Sequence, residues 1–261
     1  MDLPFHDLVL PHTGAVTHTR PATGGSGFAT AVFVHGEAGA FFVKAVPNRP
    51  GGRLDAARRE ALVNPALLGL APRLLFQAED EGWFVTGFEI VDGHHPGYDP
   101  GSPDLPKVAQ VVDQITDLVL PETAVGWQET RWDRFTDRAD LLAGDTLTYT
   151  DLHPNNILID GDRTWVVDWE WPTLAAGHLT AGSLVGQLIA SGHSPIDAES
   201  WVSAGAAWKA ADPAAVDEFA RAQVRMQEWI VEQLPDQEWR KAMLAAAQKW
   251  CRHREELKAG R

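Results

Sequence analysis

The chain has 261 residues, and 22 Lys and Arg against 36 Asp and Glu give a formal net charge of −14. Such an acidic surface disfavours nonspecific binding to nucleic-acid phosphates and to anionic membranes, so we expect neither partner. The length suits one large domain or two lobes, and 44% hydrophobic residues are enough for a sizeable core.

The single cysteine fits a reducing compartment, and the sequence lacks the apolar patterns of a signal peptide or a membrane span. Cys251 is the one cysteine, so no internal disulfide can form. The opening stretch MDLPFHDLVL lacks the pattern of a signal peptide, and no apolar run approaches the roughly 18 residues of a membrane span. We therefore expect a cytoplasmic protein, and no obligate protein partner is evident.

The first third of the chain is predicted to consist mainly of strands. Two apolar runs, 31–34 and 41–46, flank a glycine-containing turn, which is typical of a β-hairpin. A helix is predicted over LDAARREALVN, between the breaker NRPGG and Pro65. Further strands are predicted near 73–77 and 83–90.

A change in composition after about residue 90 then predicts a hinge and a second, mostly helical lobe. Residues 91–104 are dense in Gly, Pro and Asp, as linkers are. The helical period of apolar residues predicts a helix from Leu105 to about Val119, and residues 131–142 are a second candidate helix. Short strands are predicted at 157–159 and 165–167, and helices after about Ala175. We accordingly predict lobes of residues 1–91 and 92–261.

The stretch TYTDLHPNNILIDGDRTWVVDWEW carries the strongest chemical signal. Asp151 and Asn156 are five residues apart, and a strand-turn-strand separates them from Asp168. An ordinary turn would also explain Asp, Asn and Pro at these positions. A cluster of hard oxygen ligands, however, is what Mg²⁺ with a nucleoside triphosphate requires.

These motifs resemble those of the protein-kinase superfamily, and most closely those of the aminoglycoside phosphotransferase family. DLHPNN resembles the D-x-x-x-x-N catalytic loop, and VVDWEW resembles the metal-binding Asp segment. The resemblance implies an α+β fold of two lobes, a small antiparallel-sheet lobe and a larger helical one. It also implies that Asp151 orients the acceptor hydroxyl and takes its proton, while Asn156 and Asp168 hold Mg²⁺ on ATP.

The kinase interpretation requires further parts in the first lobe, and the sequence supplies them in order. Lys44 lies in the apolar strand FFVKAV, where a buried ammonium requires a partner, and Glu60 on the following helix can provide one. The resemblance implies that a glycine-rich segment and the hinge also bind the nucleotide, the hinge through its backbone. These residues are Gly25, Ser26 and Gly27 in TGGSGF, and Glu89 and Val91 at the hinge.

The chain departs from the family at two places. Tyr149 and Thr150 stand where the family usually has His-Gly, and no Asp follows in WPTLAAGHLTAG. The resemblance does not imply which molecule accepts the phosphate. Tryptophan rings together with the carboxylates of Asp197, Glu199 and Asp217 would suit an acceptor that carries a positive charge.

We therefore predict an ATP-dependent O-phosphotransferase acting on a hydroxyl of a small molecule, aminoglycoside-like or another natural product, with GTP open as a donor. The alternatives are a pseudokinase that binds or scaffolds, and a kinase of peptide or protein Ser/Thr. Fold alone does not decide among these functions.

Overall fold

The computed structural model describes residues 3–22, 30–67 and 69–260. The chain divides into two compact units. The first runs to His94 and also includes Asp160–Trp171, and the second comprises His95–Ile159 and Pro172–Arg261. The assignment of functional lobes to residues 1–91 and 92–261 stays a prediction.

Strands outnumber helices in the first part of the chain, and helices dominate the rest. The helices are α1 (His6–Thr13), α2 (Gly52–Val63), α3 (Leu105–Thr116), α4 (His178–Ala190), α5 (Pro195–Val202), α6 (Ala206–Ala210), α7 (Pro213–Gln233) and α8 (Glu238–Ala259). The strands are β1 (Val16–Pro21), β2 (Thr30–Gly36), β3 (Gly39–Pro47), β4 (Leu74–Glu79), β5 (Trp83–Phe88), β6 (Thr146–Thr148), β7 (Ile157–Asp160), β8 (Arg163–Val166) and β9 (Thr173–Ala175).

The first unit is built on a five-stranded antiparallel sheet in the order β1-β2-β3-β5-β4. Successive side chains of a strand point to opposite faces. Val43 of β3 therefore packs with Val9 of α1 in one apolar cluster, while Val46 packs with Leu54 of α2 in another. Lys44 has the parity of Val46, so it projects from the face that α2 covers.

The second unit packs its helices around large aromatic side chains. Phe219 of α7 meets Trp132 and Trp250 edge-on, with ring centroids 5.0 and 6.1 Å apart. The antiparallel pair β6 and β9 places Thr148 opposite Thr173, directly before the catalytic-loop motif. Among the described residues, no helix combines the length and the apolarity that crossing a bilayer demands.

Most predicted elements are present, but residues 131–142 do not form the predicted helix. Two short 3-10 turns, Asp133–Phe135 and Ala139–Leu141, occupy the segment instead. Thr136 between them is extended, and its hydroxyl accepts from the Arg138 amide and donates to Glu218 of α7. A threonine side chain that bonds nearby backbone competes with helix formation in this way. Neither α1 nor β1 is among the predicted elements.

Candidate functional site

Lys44 is surrounded by three carboxylates within the first unit. Its Nζ lies 2.7 Å from Glu60 Oε2 and 3.2 Å from Glu170 Oε1, and it also forms an ion pair with Asp168. β3 supplies the lysine, α2 supplies Glu60, and the segment after β8 supplies the other two acids. This arrangement gives a buried ammonium the partners that it requires.

Burial and charge act in opposite directions in this cluster. Burial alone would lower the pKa of the Lys44 ammonium, but Glu60, Asp168 and Glu170 together raise it above its ordinary value. Burial raises the pKa of the Glu60 carboxyl to about 7, against the attraction of Lys44. Burial also raises the pKa of Glu170, which Lys44 likewise opposes. The cluster carries more carboxylates than cations, so it holds Lys44 firmly charged.

The backbone around Asp168 is shaped to present these groups. Among the described residues, Asp168 is the one non-glycine residue with positive φ, at 64°. This left-handed conformation is costly for most side chains and is found most often where function requires it. The following amide, Trp169 N, donates to Glu60 Oε1 at 3.1 Å, so the turn is tied directly to α2.

The acids of this cluster have the chemistry of a divalent-cation site. Oxygens of Glu60, Asp168 and Glu170 lie within 4.8 Å of one another. Carboxylate oxygens suit Mg²⁺, which keeps several waters and takes further ligands from phosphates. The half-exposed Asp168 fits that description better than Glu60, whose two oxygens already accept hydrogen bonds.

The catalytic-loop motif lies in the second unit. Asp151 is exposed, and Asn156 is buried at the end of a 3-10 turn. Asn156 Nδ2 lies 3.1 Å from Asp151 O and 3.2 Å from Asp151 Oδ2. His153 Nε2 stands 3.6 Å from Asp151 Oδ1. An exposed carboxylate on a fixed loop can meet an incoming hydroxyl group.

Neutral hydrogen bonds hold this loop, which lacks the His and Asp that the aminoglycoside phosphotransferase family usually has at the corresponding places. Tyr149 accepts from Asn156 Nδ2 at 2.9 Å through its hydroxyl, and its backbone amide donates to Thr180 Oγ1 at 3.3 Å. Tyr98 donates to Leu152 O at 3.0 Å, and burial raises the pKa of its hydroxyl. The loop is thus anchored from its own first residue, from α4 and from the segment before α3.

Two of the remaining residues predicted to bind the nucleotide, Glu89 and Val91, lie within the described part of the chain. Glu89 joins Arg73 by a pair of hydrogen bonds, N to O at 2.9 Å and Oε1 from Arg73 N at 2.8 Å. Those bonds fix the hinge backbone at Glu89. The Val91 amide donates no backbone hydrogen bond to any of the described residues. Gly25, Ser26 and Gly27 lie outside the described residues.

Sequence reasoning overlooked Glu170 as a member of the Lys44 cluster, and Tyr98, Tyr149 and Thr180 as loop anchors. The two-residue spacing from Asp168 was the signal that could have indicated Glu170. The hydrogen-bond partners of Tyr98 and Thr180 are far away in sequence, so no local pattern indicates them.

The idea of a cationic acceptor pocket formed by Asp197, Glu199 and Asp217 is wrong for two of the acids. Asp217 Oδ1 accepts from Arg254 Nε at 2.7 Å, and both oxygens of Glu199 lie 3.3 Å from Arg254 Nη1. Both carboxylates are therefore engaged by Arg254 within the fold. Asp197 binds the hydroxyl of Ser194, the N-cap of α5.

Comparison with known proteins identifies the fold. The chain is similar to a choline kinase from Streptococcus pneumoniae, with a TM-score of 0.66, 14% identity, and 95% and 98% of the two chains covered. It is also similar to a spectinomycin phosphotransferase in complex with ADP and spectinomycin. The TM-score is 0.61, the identity is 11%, and 94% of this chain and 92% of that chain are covered. A macrolide 2′-phosphotransferase from Brachybacterium faecium is similar with a TM-score of 0.57 and 17% identity, and 92% of this chain and 96% of that chain are covered. No protein-family model and no curated protein matches the chain.

These similarities confirm the predicted kinase-like α+β fold, with a small antiparallel-sheet unit and a larger helical unit. They confirm the resemblance to aminoglycoside phosphotransferases at the level of the fold. The roles assigned to individual site residues stay predictions.

Proposed function

We propose that the protein is an ATP-dependent O-phosphotransferase that transfers the γ-phosphate to a hydroxyl group of a small molecule. The observation that carries the proposal is the charge cluster of Lys44, Glu60 and Asp168 on a kinase-like fold. A lysine held by a glutamate, with a half-exposed aspartate beside it, suits the phosphates of a nucleotide.

The reaction assigns a distinct task to each residue. Asp151 accepts the proton of the acceptor hydroxyl while the acceptor oxygen forms a bond to the γ-phosphorus and the bridging oxygen leaves with ADP. Lys44 binds the phosphates, and Glu60 positions Lys44. Asn156 and Asp168 would hold Mg²⁺, which when bound neutralises charge on the phosphate oxygens. The backbone of Glu89 and Val91 binds the base, and Gly25, Ser26 and Gly27 cover the phosphates.

A small acceptor is favoured over a peptide or protein. Only residues 169–172 separate Asp168 from β9, and α4 begins at His178. That length leaves no room for a long activation segment of the kind that orders a peptide substrate in protein kinases. Because Glu199 and Asp217 are paired with Arg254, the acceptor class is better defined by its hydroxyl group than by a positive charge.

The test combines nucleotide binding with phosphate transfer. We expect ATP with Mg²⁺ to raise the melting temperature, since a ligand at 100 Kd stabilises the native state by about 2.7 kcal/mol. Running GTP beside ATP identifies the donor. Labelled nucleotide is then offered to a panel of hydroxylated small molecules and to Ser/Thr peptides.

The Asp151→Asn variant should lose about 10²–10⁴-fold in transfer rate, the usual contribution of a general base, while its melting shift with Mg-ATP is retained. Asp162→Asn, a change of an exposed Asp in the turn between β7 and β8, is the matched control and should keep the wild-type rate. Full turnover by Asp151→Asn would remove Asp151 from the reaction. A well-folded wild type without any nucleotide shift would instead indicate a pseudokinase.

A further inference from the structure

The amide of Asn156 has a defined orientation. Its Nδ2 lies within hydrogen-bond distance of the Tyr149 hydroxyl, Asp151 O and Asp151 Oδ2. A main-chain carbonyl oxygen and an ionised carboxylate can only accept, so the NH₂ end of the amide must face them. Asn156 Oδ1 is consequently the end that is left to face a cation.

One of these three contacts is made to the group that reacts. Asp151 is exposed, and when its carboxylate accepts the proton of the hydroxyl group in the proposed reaction, it loses its negative charge and becomes a weaker acceptor for Asn156 Nδ2. The two hydrogens of Asn156 Nδ2 then have two remaining acceptors, Asp151 O and the Tyr149 hydroxyl. An amide held by only one of them could rotate and offer NH₂ in place of Oδ1.

The position of the Tyr149 hydroxyl is set by the fold around it. Tyr149 is 1% exposed and follows β6 directly. Its backbone amide donates to Thr180 Oγ1 of α4, and β6 pairs with β9. A buried hydroxyl almost always has a hydrogen-bond partner, and here Asn156, itself 5% exposed, provides one.

We propose that Tyr149 is a positioning residue for the metal-nucleotide site. Its hydroxyl accepts from Asn156 Nδ2 and thereby directs Asn156 Oδ1 toward Mg²⁺ throughout turnover. The inference rests on the proposed function. It assigns Tyr149, which stands where the resembling family usually has His, a direct bond to a metal ligand in this chain.

The chain offers a matched control, because its second tyrosine also bonds to the loop. Tyr98 is 3% exposed, and its hydroxyl donates to Leu152 O at 3.0 Å rather than bonding to Asn156. Tyr98→Phe and Tyr149→Phe each remove one buried hydroxyl group that bonds to this loop. A purely structural contribution of the hydroxyl should therefore be similar in the two variants, whereas metal positioning should separate them.

The experiment measures the Mg²⁺ concentration at the midpoint of the nucleotide-dependent melting shift, with ATP held constant. Residues that orient a metal ligand typically contribute 10–100-fold to metal affinity, so Tyr149→Phe should raise this midpoint by about tenfold. Tyr98→Phe should leave the midpoint unchanged even if its melting temperature falls. Asn156→Ala should raise the midpoint at least as far, and adding Tyr149→Phe to Asn156→Ala should change it no further.

The outcomes separate this inference from the proposed function. A wild type that shows no Mg²⁺-dependent shift overturns the function and the inference with it. A wild type that responds, beside a Tyr149→Phe variant with the same midpoint, overturns the positioning role alone. An equal rise in Tyr98→Phe and Tyr149→Phe, or an added rise in the double variant, would also overturn it.

Discussion

Two buried cations, one in each unit, differ in how completely the fold encloses their partners. Arg254 and its acids Asp217 and Glu199 have side chains only 7%, 7% and 14% exposed. Lys44 is 13% exposed, yet its partners Asp168 and Glu170 are 42% and 35% exposed. The first cluster is closed to solvent, and the second opens on one side.

This difference is the one expected between a structural ion pair and a cluster that binds a ligand, as proposed above for Lys44. Trp250 Nε1 donates to Glu199 at 2.7 Å, so the Arg254 cluster is completed by the helices around it. The Lys44 cluster is instead open on one side, where the phosphate oxygens of the proposed nucleotide would replace carboxylates around the ammonium. A cation that must exchange partners is expected where the partners remain in contact with water.

The largest expected effect comes from removing each cation in turn. Arg254→Met removes the cation from two buried carboxylates and should lower the free energy of unfolding by about 3–5 kcal/mol. Lys44→Met should lower it by less, because water still solvates Asp168 and Glu170. Phosphate transfer should show the reverse order, with Lys44→Met losing activity and the folded fraction of Arg254→Met keeping it. Urea unfolding at pH 7 and transfer rates measure both; a larger stability loss in Lys44→Met would contradict the comparison.

A second prediction uses a buried group that has no compensating charge. Burial lowers the pKa of His178 on α4 to about 4, and among the described residues its Nε2 has no hydrogen-bond partner. The unfolded chain therefore binds a proton below about pH 6.5 that the folded chain takes up only near pH 4. Stability should fall by up to about 3 kcal/mol as the pH drops through this window, and His178 should have no effect above it.

Urea unfolding from pH 7 to pH 4 tests this dependence. His178→Gln should flatten the decline, while His35→Gln, a change of an exposed histidine on β2, should leave it as in the wild type. An unchanged slope in His178→Gln would assign the acid sensitivity of the protein to other groups.

The smallest effect is expected from an ion pair on the surface of the first unit. Arg58 Nη2 lies 2.8 Å from Glu79 Oε2, and both side chains are nearly half exposed. Arg58→Ala should change the free energy of unfolding by less than about 1 kcal/mol, and 1 M NaCl should remove most of the difference. Melting curves at low and high salt suffice, and a loss comparable to that of Arg254→Met would show that exposure does not rank these pairs.

Local patterns carried much of the fold and of the Lys44 cluster. The alternation in FFVKAV places Lys44 opposite to Val43, and the helix after NRPGG carries Glu60 toward that face. The strand alternation and the helix pattern both repeat over a few residues, so they can be recognised in the sequence without knowledge of distant contacts. The five-residue spacing from Asp151 to Asn156 was informative for the same reason.

The features that were missed depend on long-range contacts. Thr136 breaks the predicted helix through a bond to Glu218, 82 residues away, and Arg254 neutralises Asp217 from 37 residues away. Side-chain periodicity contains no information about such partners. Tertiary contacts decide these positions, as they often override local preference.

The loop that carries Asp151 also gives this protein a built-in spectroscopic label. The chain contains 11 tryptophans but only two tyrosines, and the hydroxyl groups of Tyr98 and Tyr149 both bond to the loop that carries Asp151. Selective isotope labelling of tyrosine therefore yields a spectrum with two sets of ring signals, one from each side of the same loop. The wild-type chain reports on the Asp151 loop without any introduced probe.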